Sequence, residues 1–526
     1  MTQTTLTGKN NLVRAEELAL KQREISISEF FTKNRHLLGF DNPRKALLTT
    51  IKEAVDNALD ACEEMNVLPD IFVEIKKTNH EDRFIIIIED NGPGIVKSQL
   101  SKIFGKLLYG SKFHKLSQTR GQQGIGISAS VLYGQLTTGK ATKIISKIGK
   151  NQDANMVEIH LNTKTNNPEI VQEEIIAWDK DHGTRVEIEL EGKFHKGKLS
   201  VEEYIKQSAI SNPHATFTLI SPDEEKIVFP RATQEIPKEP KEIKPHPYGI
   251  ELGMLIRMLK ETTAKTLLSF LQTEFSRVSS KVAKEICEKA SLYPNARPTR
   301  IARQEADILY KSIQETKIMA PPTDCVSPIG EEQLLQGLMK EVDAEFYVAT
   351  TRPPSVYRGN PFVIEVAVAY GGSLVADALA KLVRFANRVP LQHQQGACSI
   401  TKSVMQTSWK KYGLQQSRGA LPSGPLIIIV HMASVWVPFT SESKEAIASY
   451  PEITKEMKLA LQECGRKLSI ELSKKRKVSE ESKKVSYIEK YLPHIGIGLK
   501  EILNLSEDDE KNMLTILKDI LERSRK

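Results

Sequence analysis

Four prolines fall within the twelve residues Ile236-Pro-Lys-Glu-Pro-Lys-Glu-Ile-Lys-Pro-His-Pro247, and five of the other eight are charged. Proline has no N–H to give and fixes its own φ, so this stretch can be neither helix interior nor central strand. It reads as a semi-extended linker, and it forbids a single continuous core. Pro321-Pro322 marks a second break in the 526 residues. At about 100–200 residues per domain, that length predicts three or four units. The breaks bound units at 1–235 and 236–322; the expected remainder is a unit at 323–475 and a helical C-terminal extension at 476–526.

The text on either side of the linker differs in period. A helix is predicted over Arg44–Met65, opening after Asp41-Asn42-Pro43, because Asn before Pro is a helix-start signal. Strands are predicted at Ile71–Ile75, Phe84–Glu89, Lys143–Ser146, Asn155–Leu161, Arg185–Leu190 and Thr216–Ile220 from apolar runs bounded by turn residues. Residues 249–320 are helical by period. Residues 345–440 return to strand text, as in Pro361-Phe-Val-Ile-Glu-Val-Ala-Val-Ala-Tyr370. Residues 442–478 read as one long helix, and 479–526 carry two further helical patterns. Residues 1–25 are polar and mixed, an arm or strap. The fold class is α+β, multidomain.

Composition narrows the function classes. Hydrophobic residues at 40% and charged residues at 27% describe a globular chain, not a disordered one. Five scattered cysteines, Cys62, Cys287, Cys325, Cys398 and Cys464, form no C-x-x-C, which excludes a zinc ribbon and a thioredoxin-type pair. A sparse, odd set fits a reducing, cytoplasmic setting. No apolar run approaches the roughly 18–20 residues of a membrane span, and the polar N-terminus is no signal peptide. Net charge is 74 − 66 = +8, which permits a nucleic-acid partner without requiring one. Lys281, Lys284, Lys289, Arg297, Arg300 and Arg303, and the basic run from Arg466 to Lys484, would give a summed, salt-sensitive attraction to phosphates.

Three motifs carry chemistry. In Glu53-Ala-Val-Asp-Asn57-Ala-Leu-Asp60, helical spacing puts Glu53, Asn57 and Asp60 on one face. Those residues alone describe a solvated acidic face; with a nucleotide they describe a Mg²⁺ ligand, Asn57, one turn from a general base, Glu53. Ile85-Ile-Ile-Ile-Glu-Asp90-Asn-Gly92-Pro-Gly94 ends a buried strand on an acid and a turn. Its plain reading is turn chemistry; its functional one is a carboxylate, Asp90, accepting from an exocyclic amine while Gly92 and Gly94 admit a flat ring. In Arg120-Gly121-Gln122-Gln123-Gly124-Ile125-Gly126-Ile127-Ser128, a glycine-rich loop enters a helix N-terminus, whose N–H groups can receive phosphate oxygens. Gly134–Ala141 imitates a P-loop but has Ala where Ser or Thr would hold a metal.

In this order and spacing the motifs resemble the GHKL ATPase family, and His182-Gly183-Thr184 matches the Gly-Thr that the family carries on a late strand. Lys106–Lys112, Lys244–Gly249, Ser327–Gly330, Phe385–Pro390 and Trp409-Lys410-Lys411-Tyr412-Gly413 extend the likeness to the B subunits of archaeal-type topoisomerase VI, over about Ser26–Lys475. The resemblance implies a GHKL (Bergerat) α/β sandwich ATPase domain, a helix-two-turns-helix domain and an α/β transducer, with ATP and Mg²⁺ as cofactors. By motif, Glu53 is the general base, Asn57 the Mg²⁺ ligand, Asp90 the adenine reader, and Thr184 a further ATP-binding residue. Ser111 and Lys112 belong to the lid, and Gly121 through Ser128 to the phosphate loop. Lys410 would reach the γ-phosphate from the transducer.

The same resemblance implies an ATP-operated gate in a heterotetramer of two A and two B subunits. ATP-dependent self-dimerisation would capture a DNA duplex, with relaxation of supercoils and decatenation as the outcome. No cleaving tyrosine in a winged-helix setting is visible, so cleavage would fall to the A subunit of topoisomerase VI. The helical unit at 249–320 argues against a MutL-like repair ATPase. Intact Glu53, Asn57, Asp90 and Lys410 argue against a non-hydrolysing scaffold. His36 lacks the acidic flank of a kinase phosphoacceptor. The expected setting is the cytoplasm, at the nucleoid.

Overall fold

The computed structural model describes residues 14–523 other than Ala15, Arg23, His114, Gln122, Gln123, Glu442 and Leu505. The arm expected over residues 1–25 therefore lies largely outside the described residues. A short helix, α1 (Ile27–Lys33), follows it.

The long helix α2 (Pro43–Glu64) starts where its sequence signals put it. Asn42 is the N-cap, its Oδ1 accepting from the Lys45 N–H at 2.9 Å, with Pro43 at the first helical position. Helices α3 (Lys97–Gly105), α4 (Gly126–Thr138) and α5 (Val201–Ser211) join it on an eight-stranded sheet. The strands are β1 (Asp70–Lys77), β2 (Arg83–Glu89), β3 (Thr142–Lys147), β4 (Ala154–Asn162), β5 (Asn167–Ile176), β6 (Gly183–Glu191), β7 (Thr216–Ile220) and β8 (Lys226–Phe229). Their order is β5-β4-β3-β6-β2-β1-β7-β8, antiparallel except for the β1–β7 pair. Alternation sets the faces: Ile86 and Ile88 pair with Ile188 and Val186 under the helices. Two strands escape the sequence reading, β5 and β8. Edge strand β5 is exposed along nearly its whole length, so it carries no buried alternation to read.

A second core is all helical: α6 (Leu252–Glu261), α7 (Leu267–Glu274), α8 (Ser280–Lys289) and α9 (Arg303–Glu315) close around Phe270, Leu271, Ile286 and Leu309. The third begins at α10 (Glu331–Glu341). Its six-stranded sheet comprises β9 (Phe346–Thr351), β10 (Ser355–Tyr357), β11 (Asn360–Tyr370), β12 (Lys381–Ala386), β13 (Val389–Pro390) and, after a two-stranded β14 (Gln415–Gln416) and β15 (Pro422–Ser423) pair, β16 (Leu426–Ser434). Strands β11 and β16 are buried on both faces. Val366 and Val368 enter one cluster and Ala367 and Ala369 another, which is why this text is an unbroken apolar run.

The helix expected over 442–478 is shifted. After α11 (Ser399–Gln406), helix α12 runs Pro451–Leu503, with Pro451 in its first turn, while Ile447 pairs with Phe439 in a bridge. It does not stop at 478. No Gly or Pro stands between there and Pro493, so the first tail pattern continues the same helix and only α13 (Glu507–Arg523) is separate. Among the described residues no helix is long and apolar enough to cross a membrane, and all five cysteines are free and buried.

Candidate nucleotide site and its family

A cavity of about 610 Å³ lies between the helices and the sheet of the first unit. Of the predicted residues, Glu53, Asn57, Asp90, Gly94, Ser111, Lys112, Gly121, Gly124, Ile125, Gly126, Ile127 and Thr184 line it. Gln122 and Gln123 lie outside the described residues. Ser128 does not reach the cavity: its hydroxyl turns back to the Ile125 carbonyl at 3.0 Å, as helix-terminal serines do.

The floor is built around Asp90. Its Oδ1 accepts from the Gly92 N–H at 2.8 Å and the Thr184 N–H at 3.2 Å. Both bonds fall on one oxygen, so Oδ2 stays available to a ligand's N–H. Burial pushes the carboxyl up to about 6, against the pull of those two amides, so it is still mainly ionised at pH 7. Thr184 is fixed in turn by Ser146, whose hydroxyl lies 3.1 Å from the Thr184 hydroxyl and accepts from the Ile95 N–H at 2.8 Å. Ser146 has no signature in the sequence, one polar residue in a strand. Gly94 is obligatory: φ is +70°, and a Cβ would stand 2.1 Å from the Lys147 carbonyl oxygen.

Glu53 and Asn57 occupy the wall beside the glycine loop. The Glu53 carboxylate rests against the first residue of α4, so close that a Cβ on Gly126 would meet its Oε2 at 1.8 Å. An acid is electrostatically at home at a helix N-terminus. Asn57 is exposed to the cavity. Asp60, on the same helical face, is not available: Lys112 Nζ holds it at 2.8 Å and Arg120 Nη1 at 2.7 Å. Lys112 also pairs with Glu64 at 2.9 Å. Burial works against its charge, but the two acids outweigh that and raise its pKa. Arg120 is buried and forks onto Glu63 at 2.6 and 2.7 Å, while Glu63 also meets His214 Nε2 at 2.9 Å. Burial alone would raise the Glu63 pKa; Arg120 and His214 hold it well below the usual carboxylate range.

The remaining wall comes from the third unit, through Pro390–His393 and Ser443–Glu445. Glu445 Oε1 clasps Lys45 of α2 at 2.7 Å, and Lys45 also holds Asp41 at 3.1 Å. Lys410 does not line the cavity. It is exposed on the short turn Trp409–Tyr412, which the fully buried Trp409 anchors in the third core, its Nε1 donating to the Val404 carbonyl at 2.9 Å. The lysine that the third unit brings to the cavity is Lys444. Nothing in the sequence singles it out, because a lone lysine between Ser443 and Glu445 has no local signature.

A family model described as the histidine kinase-, DNA gyrase B- and HSP90-like ATPase matches residues 42–193, and one described as the topoisomerase VI B subunit transducer matches residues 321–484. The B subunit of type 2 DNA topoisomerase 6 from Methanococcoides burtonii is 52% identical over 490 residues, 93% of this chain and 79% of that one. Its counterpart from Archaeoglobus fulgidus is 50% identical over 484 residues, 92% and 80% of the two chains. The DNA gyrase B-subunit structure from Myxococcus xanthus aligns over 84% of this chain and 95% of its own at 12% identity and a TM-score of 0.43, a likeness too distant to bear on the site. With half its residues shared along nearly its whole length, and with a GHKL ATPase fold followed by a transducer, the chain belongs to the family of type 2 DNA topoisomerase 6 B subunits.

Proposed function

We infer that this chain is the ATP-hydrolysing component of a type II topoisomerase and couples nucleotide binding to movement of its transducer. The observation that carries this is the composite cavity. It has an acceptor carboxylate at one end and, beside the glycine loop at the other, a carboxylate with no ion pair among the described residues. A lysine from a second unit stands in the wall. Asp90 Oδ2 accepts from the adenine amine. The N–H groups at the start of α4 receive phosphate oxygens. Glu53 orients the attacking water and takes its proton. Mg²⁺ supplies charge neutralisation on the phosphates; Asn57 would hold it, and the site suits an ion carried largely by phosphates and water. Among the described residues no three His, Cys, Asp or Glu side chains form a metal cage.

Lys444 takes the part that the family resemblance gives to Lys410. A cation from another unit distinguishes ATP from ADP because only ATP presents a terminal phosphate there. The expected partners are a DNA-cleaving A subunit, a second copy of this chain and double-stranded DNA. Lys281, Lys284, Lys289, Arg297, Arg300 and Arg303 of the helical unit all keep solvent contact, as phosphate-binding groups must. The test is plasmid relaxation and ATP turnover by the complex with the A subunit. Lys444→Ala lowers both and spares ADP binding, whereas Lys410→Ala leaves turnover within about threefold of wild type, an effect worth under about 1 kcal/mol. The reverse pattern would return the sensing role to Lys410.

A further inference from the structure

The transducer presents more to the cavity than Lys444. After β13 the chain turns along the cavity wall as Leu391-Gln392-His393. This loop is pinned from behind. Arg384, buried on β12, donates through Nη2 to the Leu391 carbonyl at 2.7 Å and the His393 carbonyl at 2.8 Å, and the Leu391 N–H returns a bond to the Arg384 carbonyl at 2.8 Å. The backbone of the loop is thus committed. Its side-chain polar atoms are not: Gln392 Nε2, Gln392 Oε1 and His393 Nε2 are all shielded from solvent and have no hydrogen-bond partner among the described residues. Shielded polar groups are nearly always paired, because desolvating them without a partner is costly. Three such atoms on adjacent residues, in the wall of the nucleotide cavity, have the character of a site awaiting its ligand.

Position selects the ligand's chemistry. Among the described residues the charged groups whose fields act on His393 are Glu445, Lys45, Lys52 and Asp41. Lys52 precedes Glu53 on α2 and lines the same cavity, and its charge acts on His393, which associates this loop with the Glu53 side of the cavity. Burial lowers the His393 pKa, so near neutral pH the ring is uncharged and can present one N–H.

We propose that Gln392 and His393 form a second transducer contact to the terminal phosphate of a bound nucleoside triphosphate, distinct from the lysine. Gln392 Nε2 and His393 Nε2 donate to its oxygens, and Gln392 Oε1 accepts from a water beside it. The pair adds no charge. It gives the transducer a directional grip on the phosphate, which a lysine's point charge lacks. This rests on the ATP reading of the cavity.

The test is calorimetry on the full chain with Mg²⁺ and either ADP or a non-hydrolysable ATP analogue. Gln392→Leu and His393→Leu are each expected to leave ADP affinity within about twofold of wild type and to weaken the analogue about tenfold, the size of one or two lost neutral hydrogen bonds. His393→Gln should restore part of the loss. Equal weakening of ADP and analogue, or no weakening of either, overturns the proposal. If wild type binds neither nucleotide, the ATP reading itself fails. Should the leucine variants not fold, ¹⁵N NMR of the His393 ring in wild type decides: the analogue and not ADP shifts Nε2, and a resonance unmoved by the analogue overturns the proposal.

Discussion

One helix treats its acids in opposite ways. At the middle of α2, Glu53 borders the cavity without an ion pair among the described residues. Two turns on, Asp60 and Glu63 share the buried guanidinium of Arg120, with Lys112 and His214 completing the cluster. Between them Asp56 is buried and takes the Tyr204 hydroxyl at 3.0 Å. The difference teaches what an acid needs to be reactive. Asp60 and Glu63 are locked by cations and act as scaffold. Glu53 borders the cavity with its carboxylate in no ion pair among the described residues. Arg120 stands directly before Gly121, so the locked cluster also fixes where the phosphate loop begins.

The comparison is broken most directly at Glu53. Glu53→Gln keeps size and removes the base, and steady-state turnover should fall on the order of 10²–10⁴-fold while nucleotide still binds. Wild-type turnover would put the base elsewhere. Arg120→Met tests the other half. It leaves Asp60 to Lys112 and Glu63 to His214, and breaking a buried pair typically costs about 3–5 kcal/mol in unfolding free energy. Its pH signature has a definite sign. The Glu63 pKa is depressed in the folded state, so its contribution is present above the ordinary carboxylate value and is lost as pH falls below it; urea melts from pH 7 downward should show that acid limb in wild type and a flatter one in the variant.

Asp90→Asn sharpens the contrast between a carboxylate that serves a ligand and those that serve the fold. It replaces an acceptor by a donor facing the adenine amine, at about 1–3 kcal/mol of affinity, with the fold preserved. Unchanged affinity in calorimetry would leave Asp90 to the turn alone. The smallest effect belongs to Asp56. Burial raises its pKa to about 7, so the folded state holds this proton more tightly than the unfolded chain, and stability from this group falls as pH rises from about 4 to 7. Asp56→Asn should flatten that slope, read as the difference between melts at pH 5 and 8.

Much of this is legible without coordinates. The Asn42-Pro43 start of α2 and the six strands read from apolar runs are local signals, and local physics sets them. The turn after β2 and the glycine-rich stretch before α4 are legible because glycine at tight approaches leaves a pattern; Gly94 has no room for a Cβ. The start of α12 differs from its expected place because an apolar period cannot say which end a bridge such as Phe439 to Ile447 will claim.

By itself, then, the sequence determined where α2 starts, where six strands of the first sheet lie, and that Glu53, Asn57 and Asp60 share a face. Hydrogen-bond geometry, proline and side-chain period act over a few residues, and a few residues suffice to read them. The tertiary structure decided which acid on that face is held in ion pairs, because Lys112 and Arg120 approach Asp60 from 52 and 60 residues away. It also decided that Lys444, and not Lys410, reaches the nucleotide cavity. Lys410 has suggestive flanking residues and Lys444 has none. Only the packing of Trp409 into one core and the grip of Glu445 on Lys45 settle which of them meets the other unit.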